Sequence, residues 1–214
     1  MIMPEIKNLK ALYKEKKQEI KSRLKEFRDI GNSSKDKIFS ELCFCICTPQ
    51  SKARVCDKAI SKLVKSKLLP NGSKSEISKI LKNEGVRFHK NKARFIVLAR
   101  DKFDETNLTD RIKESRDNKE LREFIADNIK GLGLKESGHF LRNIGLGKNL
   151  AILDRHILKN LKNFNAIDEI PKTLTKKRYL EIESKMVKFS EKIEIPMDEL
   201  DLLFWSRETG EVFK

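Results

Sequence analysis

Residues 128–161 have the sequence NIKGLGLKESGHFLRNIGLGKNLAILDRHILKNL. A helical pattern ends near Ile129, two glycines follow at Gly131 and Gly133, and a second helical pattern begins. Glycine permits a sharp turn and the close approach of a ligand, and the unpaired amides that open the second helix favour an anion such as a phosphate. The pattern predicts an anion-binding helical hairpin, although an ordinary connection with a glycine C-cap has the same appearance.

Lys135 follows the second glycine by two residues and falls in the first turn of the second predicted helix. The positive end of the helix dipole disfavours an ammonium group at that position. Because only a neutral amine attacks carbon, the position suits a lysine that forms a Schiff base. By position alone, however, one more exposed lysine is the better interpretation.

Asp154 stands between a short apolar link, residues 150–153, and a helical pattern that includes Ile157 and Leu161. An aspartate in this place typically caps the helix, which holds its carboxylate in a fixed position. A carboxylate near Lys135 could accept a proton from the amine and stabilise positive charge developing on a sugar ring. Capping and catalysis are compatible in one residue.

Helical periodicity extends over almost the whole chain, since apolar residues recur every three or four positions. Strand patterns are nearly absent, and the sequence contains neither an internal repeat nor a low-complexity linker. We therefore predict an all-α fold. The clearest predicted helices cover about residues 6–30, 38–47, 51–66 with Ser51 as its cap, 118–129, 175–190 and 197–207.

The charge of the chain is strongly positive, with 47 Lys and Arg against 32 Asp and Glu, a net charge of +15 and a pI near 9.6. Such a balance favours an anionic partner, most often nucleic acid, although a lysine-rich thermophile surface or an AT-rich genome would also produce it. The 214 residues suffice for one or two domains. We expect an intracellular protein without a membrane partner, because no apolar run approaches the bilayer thickness and the N-terminus is charged.

Four cysteines lie in the N-terminal half, at Cys43, Cys45, Cys47 and Cys56. None has the CxxC spacing, and residues two apart on a helix point in different directions, so a metal site is not expected. Disulfides are not expected in an intracellular chain. We interpret the four as small apolar core residues.

Gly131, Gly133, Lys135 and Asp154 together resemble the signature of the helix-hairpin-helix DNA glycosylase superfamily, which includes endonuclease III and the 8-oxoguanine glycosylases. Members of that superfamily carry a Gly-x-Gly hairpin, a lysine two residues after it and an aspartate at the head of the next helix. The four residues together are specific for this superfamily, whereas the two glycines alone are also compatible with an ordinary helical hairpin.

Three further segments extend the resemblance over about residues 36–214. Residues 39–60 (FSELCFCICTPQSKARVCDKAI) resemble the family's buried helix and Gln-containing turn, and residues 85–96 (GVRFHKNKARFI) resemble its segment with an aromatic residue ahead of Lys-Ala. The ending WSRETGEVFK is similar to that of the archaeal-type 8-oxoguanine glycosylase/lyases. The chain lacks the C-terminal four-cysteine motif of endonuclease III relatives, which disfavours pyrimidine damage as the substrate.

The resemblance implies two helical domains with a cleft between them, one from residues 1–49 plus 148–214 and the other from residues 50–147. It implies a bifunctional 8-oxoguanine DNA glycosylase/AP lyase, in which Lys135 attacks C1′ and forms an imine while Asp154 supports departure of the base. No metal or organic cofactor is needed, because the protein amine is the nucleophile.

The resemblance also implies binding roles. Phosphate binding would involve the hairpin residues Lys130, Gly131 and Gly133. Base recognition would involve four residues, Gln50, Trp205, Phe213 and Lys214, and in the resembled enzymes the terminal lysine with its carboxylate helps to recognise 8-oxoguanine. The competing interpretations are that Gln50 is a polar loop residue, that Trp205 belongs to the core, and that Phe213 and Lys214 form a frayed chain end.

The implied partner is double-stranded DNA whose damaged nucleotide is flipped into the cleft. We expect a monomer in a prokaryotic cytoplasm. Two alternatives stay open: a non-catalytic helix-hairpin-helix DNA-binding protein, which would not need both Lys135 and Asp154, and a glycosylase of the same fold for another damaged base. Arg142 and Lys148 could line the phosphate track, and His89, His139 and His156 are better explained as structural residues.

Overall fold

The structure, a computed structural model, describes residues 4–214. This part of the chain forms twelve helices and no β-strand, which confirms the predicted all-α class. Within the same residues, no helix combines the length and apolarity required to cross a lipid bilayer. The helices are α1 Pro4–Gly31, α2 Lys35–Cys47, α3 Ala53–Lys65, α4 Leu68–Asn71, α5 Lys74–Asn83, α6 His89–Glu105, α7 Leu108–Glu114, α8 Asn118–Asn128, α9 Leu134–Asn143, α10 Arg155–Asn163, α11 Lys176–Ile193 and α12 Met197–Thr209.

The buried apolar residues form two clusters. The first runs from Ile38 to Leu150 and is built by α2 through α9, and the second combines α1 with residues from Ala151 onward. The chain therefore passes between the clusters twice, once between α1 and α2 and once between Leu150 and Ala151. The division into residues 1–49 with 148–214 and residues 50–147 remains a prediction, and the clusters place α2 with the helices that follow it.

The helix α2 is buried on nearly every side, as its sequence predicts. Ser34 caps it through a bond from the Lys37 amide, and it ends at Cys47, just ahead of Pro49 as predicted. Thr48 itself keeps a right-handed helical conformation, so the end of the helix is not explained by the steric effect of proline on the preceding residue. The four cysteines are free thiols in the interior. Burial raises the pKa of the Cys43 and Cys45 thiols, so both are inert core residues.

The cap of α3 differs from the prediction. Lys52 occupies the N-cap position without a side-chain bond. The Ser51 hydroxyl instead accepts hydrogen bonds from the Arg87 amide at 3.0 Å and from Lys92 Nζ at 2.9 Å. A serine that could cap the next helix is used to join two loops, and no local pattern distinguishes these roles.

A buried ion pair joins the two clusters. Arg122 on α8 donates to both carboxylate oxygens of Glu183 on α11, and both side chains are almost inaccessible to solvent. The Glu183 carboxylate also accepts from the Ala151 amide at 2.7 Å, and the Tyr179 hydroxyl donates to the Ala151 carbonyl at 2.5 Å. These bonds satisfy the backbone of the link at residues 150–153, which leads directly to Asp154.

Candidate active site

The hairpin lies between α8 and α9, and its two glycines have different functions. Gly131 has φ +98°, and a Cβ there would stand 2.6 Å from the Phe95 ring, so the turn itself requires glycine. Gly133 has φ −99°, and a Cβ there would meet only the Glu136 carboxylate at 3.8 Å. The protein leaves open space at Gly133, which is what the close approach of a ligand needs.

The first amides of α9 are available to an anion. Gly133 is the N-cap residue and has no side chain that could accept from them. The amide of Ser137 bonds to the Gly133 carbonyl at 2.9 Å and begins the helical ladder. The amides ahead of it and the positive end of the helix dipole together favour a phosphate, and the exposed Lys130 adds a cation beside them.

Lys135 is the second residue of α9, as predicted. Its side chain is 26% exposed, and Nζ lies 3.2 Å from Oε1 of Glu136. The amine is therefore held by a neighbouring carboxylate but is still open to a ligand.

Asp154 caps α10, as predicted. Its Oδ1 accepts from the amides of His156 and Ile157, both at 2.8 Å. A single oxygen makes both cap bonds, so Oδ2 is left outside the cap. The carboxylate has a fixed orientation and a second oxygen available for chemistry.

Gly138 brings α9 close to the link that leads to Asp154. It lies one turn after Lys135 on α9, and a Cβ there would come within 3.2 Å of the Ala151 carbonyl oxygen. The helix therefore packs directly against the link that ends at Asp154. Sequence reasoning missed Gly138, although a glycine inside a helical pattern is itself an indication of close packing.

The buried His139 is influenced by the charges of three cationic side chains. Burial lowers the pKa of His139 well below its usual value, and the charges of Arg142, Lys135 and Lys214 lower it further. Neither ring nitrogen has a hydrogen-bond partner within residues 4–214. Lys135 and Lys214 thus both act on the pKa of the same buried ring.

Arg142 is not available to the phosphate track, contrary to the prediction. It is buried, and NH1 lies 2.5 Å from Oδ2 of Asp201 on α12. Burial raises the pKa of Asp201 to about 6 against the effect of Arg142, and the charge of Asp154 acts in the same direction as burial. Asp154 and Asp201 are therefore electrostatic neighbours.

A chain of polar contacts continues from Arg142 to the end of the molecule. Arg142 donates to Oδ1 of Asn143 at 3.1 and 3.0 Å, and Asn143 donates to Oε1 of Glu41 at 2.7 Å. Oε2 of Glu41 then accepts from Lys214 Nζ at 3.1 Å. Sequence reasoning missed Glu41 and Asn143, because contacts between distant helices leave no local pattern.

The four predicted base-recognition residues lie on α12, at the end of the chain and on the turn between α2 and α3. Trp205 is half-buried on α12, with its ring edge-to-face to His156 at 5.3 Å. Phe213 is buried and Lys214 half-buried, so the chain end is packed in place and does not fray. Gln50 is exposed on the turn between α2 and α3.

The Gln50 turn is held from beneath by a buried lysine. Gln50 has φ +55°, a left-handed conformation that is uncommon for glutamine. Lys92 Nζ donates to the carbonyls of Cys47 at 2.6 Å and Pro49 at 2.7 Å. Phe88, at the neighbouring turn, leaves half of its side chain exposed. Within the part of the chain that the structure describes, no group of three or more His, Cys, Asp or Glu side chains is placed to hold a metal ion.

Known proteins share the sequence features of this chain over nearly its whole length. Residues 20–195 match the model of a family described as 8-oxoguanine DNA glycosylase. A protein of Fusobacterium nucleatum, named 8-oxoguanine DNA glycosylase/AP lyase, is 48% identical over 210 residues that cover 96% of each chain. A protein of the same name from Methanocaldococcus jannaschii is 41% identical over the full length of both chains.

The chain belongs to the 8-oxoguanine DNA glycosylase family. The crystal structure of the Methanocaldococcus jannaschii 8-oxoguanine glycosylase/lyase with a 15mer DNA containing 8-oxoguanine superposes with a TM-score of 0.90 at 39% identity, covering 99% of this chain and 100% of that one. The Thermotoga maritima 8-oxoguanine DNA glycosylase superposes with a TM-score of 0.89 at 34% identity, with 98% of each chain covered. This member of the family thus shares the fold of both structures over nearly its whole length.

Proposed function

We propose that the protein excises 8-oxoguanine from double-stranded DNA and then nicks the strand at the resulting site. Family membership and the names of the relatives support this activity. The observation that carries the mechanism is the placement of Lys135 in the first turn of α9, where that helix packs against the link to Asp154. A protein that only binds DNA needs the hairpin but not this pairing.

In the first step, Asp154 accepts a proton from the Lys135 ammonium, and the neutral amine attacks C1′ of the flipped nucleotide. The bond between C1′ and N9 breaks, and its electron pair departs with the base. The Asp154 charge stabilises the positive charge that develops on the sugar. The hydrogen bonds at Oδ1 keep the carboxylate oriented while Oδ2 interacts with the reactants.

In the second step, the sugar ring opens and leaves an imine between C1′ and the Lys135 nitrogen. Loss of a proton from C2′ expels the 3′ phosphate, which breaks the strand. Water then hydrolyses the conjugated imine and releases the lysine for another turnover. The Lys135 amine is the nucleophile of the first step, and its protonated imine accepts the electron pair released when the C2′ proton is lost, so the sequence of steps requires no metal or organic cofactor.

The hairpin and the Gln50 turn provide the DNA contacts in this proposal. A phosphate would lie at the open space beside Gly133, where the first amides of α9 and Lys130 favour it. Gln50 and Phe88 lie on turns that are joined through Ser51 and Lys92, and in this proposal both meet the duplex around the lesion. The net charge of +15 adds long-range attraction.

The base itself would be recognised by Trp205 and by the packed tail that contains Phe213 and Lys214. Trp205 is half-buried on α12 beside His156, and in this proposal its ring stacks on the flipped base. The acceptors of the tail can read the N7 hydrogen that 8-oxoguanine has and guanine lacks. As genomic DNA is the substrate, the site of action in this proposal is the cytoplasm of a prokaryotic cell.

The function is tested by single-turnover assays on duplexes that carry 8-oxoguanine, other damaged bases, an abasic site or guanine at one position. Base release is measured by chromatography and strand breakage by gel electrophoresis. We expect release of 8-oxoguanine with strand breakage at the 3′ side, and no release of guanine. Efficient release of a different damaged base with none of 8-oxoguanine would contradict the proposed substrate.

A further inference from the structure

The last four residues cross from the second cluster to the first. The helix α12 ends with Gly210 in the left-handed conformation, φ +82°. Val212 packs into the second cluster, whereas the charged residues on either side of it contact α2 and α3. Residues 211–214, here called the tail, therefore connect two parts of the molecule that are also joined by the connection between α1 and α2 and by the link at residues 150–153.

Arg54 on α3 makes the first attachment of the tail. Its guanidinium forms a two-nitrogen ion pair with the Glu211 carboxylate, in which Nε lies 3.1 Å from Oε2. The same guanidinium lies over the Phe213 ring, 3.8 Å from its centroid. A single side chain thus holds two alternate residues of the tail, and the planar guanidinium suits both contacts.

Lys214 makes the second attachment, deeper in the molecule. Nζ lies 3.1 Å from Oε2 of Glu41 and 2.9 Å from Oδ1 of Asp57, and it stands 4.4 Å from the centroid of the Phe44 ring. Burial opposes the charge, but Glu41 and Asp57 outweigh it and raise the pKa of Lys214. Lys214 is therefore a fixed cation, and its position relative to α3 depends on where the rest of the tail is held.

We propose that Arg54 is a positioning residue for base recognition: its hold on Glu211 and Phe213 sets the position in which Lys214 enters the site between Glu41 and Asp57. The inference rests on the proposed function, since it gives the tail a substrate to recognise. Arg54 acts through the tail and not on the reacting atoms. It should therefore affect excision of the base far more than cleavage at a site from which the base is already absent.

Geometry separates this role from a direct contact between Arg54 and DNA. Arg54 is 61% exposed and Glu211 is 40% exposed, so substitutions at either residue are compatible with folding. A phosphate contact by Arg54 would not require Glu211, whereas positioning through the ion pair requires both residues. Exchanging the two charges should therefore restore the ion pair that either single reversal removes, although not the contact of Arg54 with the Phe213 ring.

The experiment compares wild type with Arg54→Ala, Arg54→Glu, Glu211→Ala, Glu211→Arg and the double variant Arg54→Glu/Glu211→Arg. Each is assayed under single turnover on an 8-oxoguanine duplex and on the same duplex with a preformed abasic site, and each is checked by thermal unfolding. Lys176→Ala is the matched control, because Lys176 pairs with Glu123 across the two clusters at 3.0 Å with 58% exposure.

We expect the Arg54 variants to slow excision of 8-oxoguanine about tenfold, the order of effect for losing an exposed ion pair together with a cation–π contact. The Glu211 variants keep the contact of Arg54 with Phe213 and should slow excision less. Cleavage at the abasic site should fall far less in all of them, the double variant should recover the part of the excision rate that depends on the ion pair, and the control should match wild type. Normal excision by Arg54→Ala, equal losses on both substrates, or a double variant as slow as Arg54→Glu would overturn the proposal. Wild type that releases no 8-oxoguanine would instead contradict the proposed function.

Discussion

At the scale of single residues, Asp154 combines two functions that can be separated chemically. Its Oδ1 caps α10 through two amides, and the cap needs only an oxygen acceptor. The proposed chemistry needs the negative charge. Asparagine keeps the acceptor and removes the charge, whereas alanine removes both.

We therefore expect Asp154→Asn to unfold close to wild type while its excision rate falls by about 10²- to 10⁴-fold, the usual contribution of a general base. Asp154→Ala should lose a similar amount of activity and, in addition, about 1 kcal/mol of stability with the cap. Single-turnover excision and thermal unfolding of both variants check this. An active Asp154→Asn would assign the residue to the cap alone.

His139 makes the stability of the protein sensitive to pH. Burial, together with Arg142, Lys135 and Lys214, lowers the pKa of His139 in the folded state well below 6.5. As pH falls below about 6.5, the unfolded chain takes up a proton that the folded chain does not, so acid destabilises the fold.

The substitution His139→Met should remove this dependence, because methionine does not titrate and the ring nitrogens have no bonding partners in the described chain. From pH 7.5 to pH 5.5, we expect wild type to lose about 1.4 kcal/mol relative to the variant, as one linked proton requires. Denaturant unfolding of both proteins over this range measures the difference. A constant difference in the free energy of unfolding would mean that the pKa of His139 is the same in the folded and the unfolded chain.

At the scale of elements, the hairpin depends on two glycines that the sequence presents as equivalent. Gly131 is required by its positive φ and by Phe95, whereas Gly133 adopts an ordinary conformation beside open space. The first glycine shapes the turn, and the second leaves room for a phosphate.

The two glycines should respond differently to substitution. Gly131→Ala should cost about 1–3 kcal/mol of stability through backbone strain and the clash with Phe95. Gly133→Ala should cost less than about 1 kcal/mol, but it should weaken binding to duplex DNA about tenfold by displacing a charge-assisted bond to phosphate. Thermal unfolding and fluorescence anisotropy with a labelled duplex separate the effects. Unchanged affinity in Gly133→Ala would place the phosphate elsewhere.

The helices and the hairpin were predictable because their determinants are local. The spacing of apolar residues predicts the bounds of α1, α8 and α12 to within a few residues. The residue types of Gly131 and Asp154 indicate a turn and a helix cap. Two short helices, α4 and α7, were not predicted. Both follow residues in the left-handed conformation, Lys67 and Asn107, and each has too few residues for a periodic pattern.

The contacts that assemble the site were not predictable in the same way. The Arg142 pair with Asp201 and the Glu41 pair with Lys214 join helices that lie far apart in the chain. A basic residue that binds phosphate and one that pairs inside the core look alike in the sequence, which is why Arg142 was wrongly assigned to the phosphate track.

At the scale of the whole molecule, the relation between the two clusters depends on buried charge. Arg122 and Glu183 are inaccessible, and Glu183 also holds the amide of Ala151 in the link that leads to Asp154. A buried pair adds little net stability compared with an apolar replacement, but losing one partner leaves the other charge unpaired. The pair is therefore best understood as fixing the placement of the link.

Arg122→Met should destabilise the protein by about 3–5 kcal/mol, because it leaves the Glu183 carboxylate without its buried partner. Lys176→Ala, which breaks the exposed pair with Glu123 between the same two helices, should cost at most about 1 kcal/mol. Denaturant unfolding of the two variants gives the comparison. Similar small losses in both would show that water reaches Glu183 when Arg122 is absent.

The central claim is that the Lys135 amine becomes covalently attached to DNA, and borohydride trapping on an 8-oxoguanine duplex tests it most directly. We expect a stable adduct that peptide mass spectrometry locates at Lys135. Lys135→Gln should abolish the adduct, whereas Lys177→Gln, a substitution of an exposed lysine on α11, should leave it intact. An adduct on another lysine, or undiminished trapping by Lys135→Gln, would contradict it.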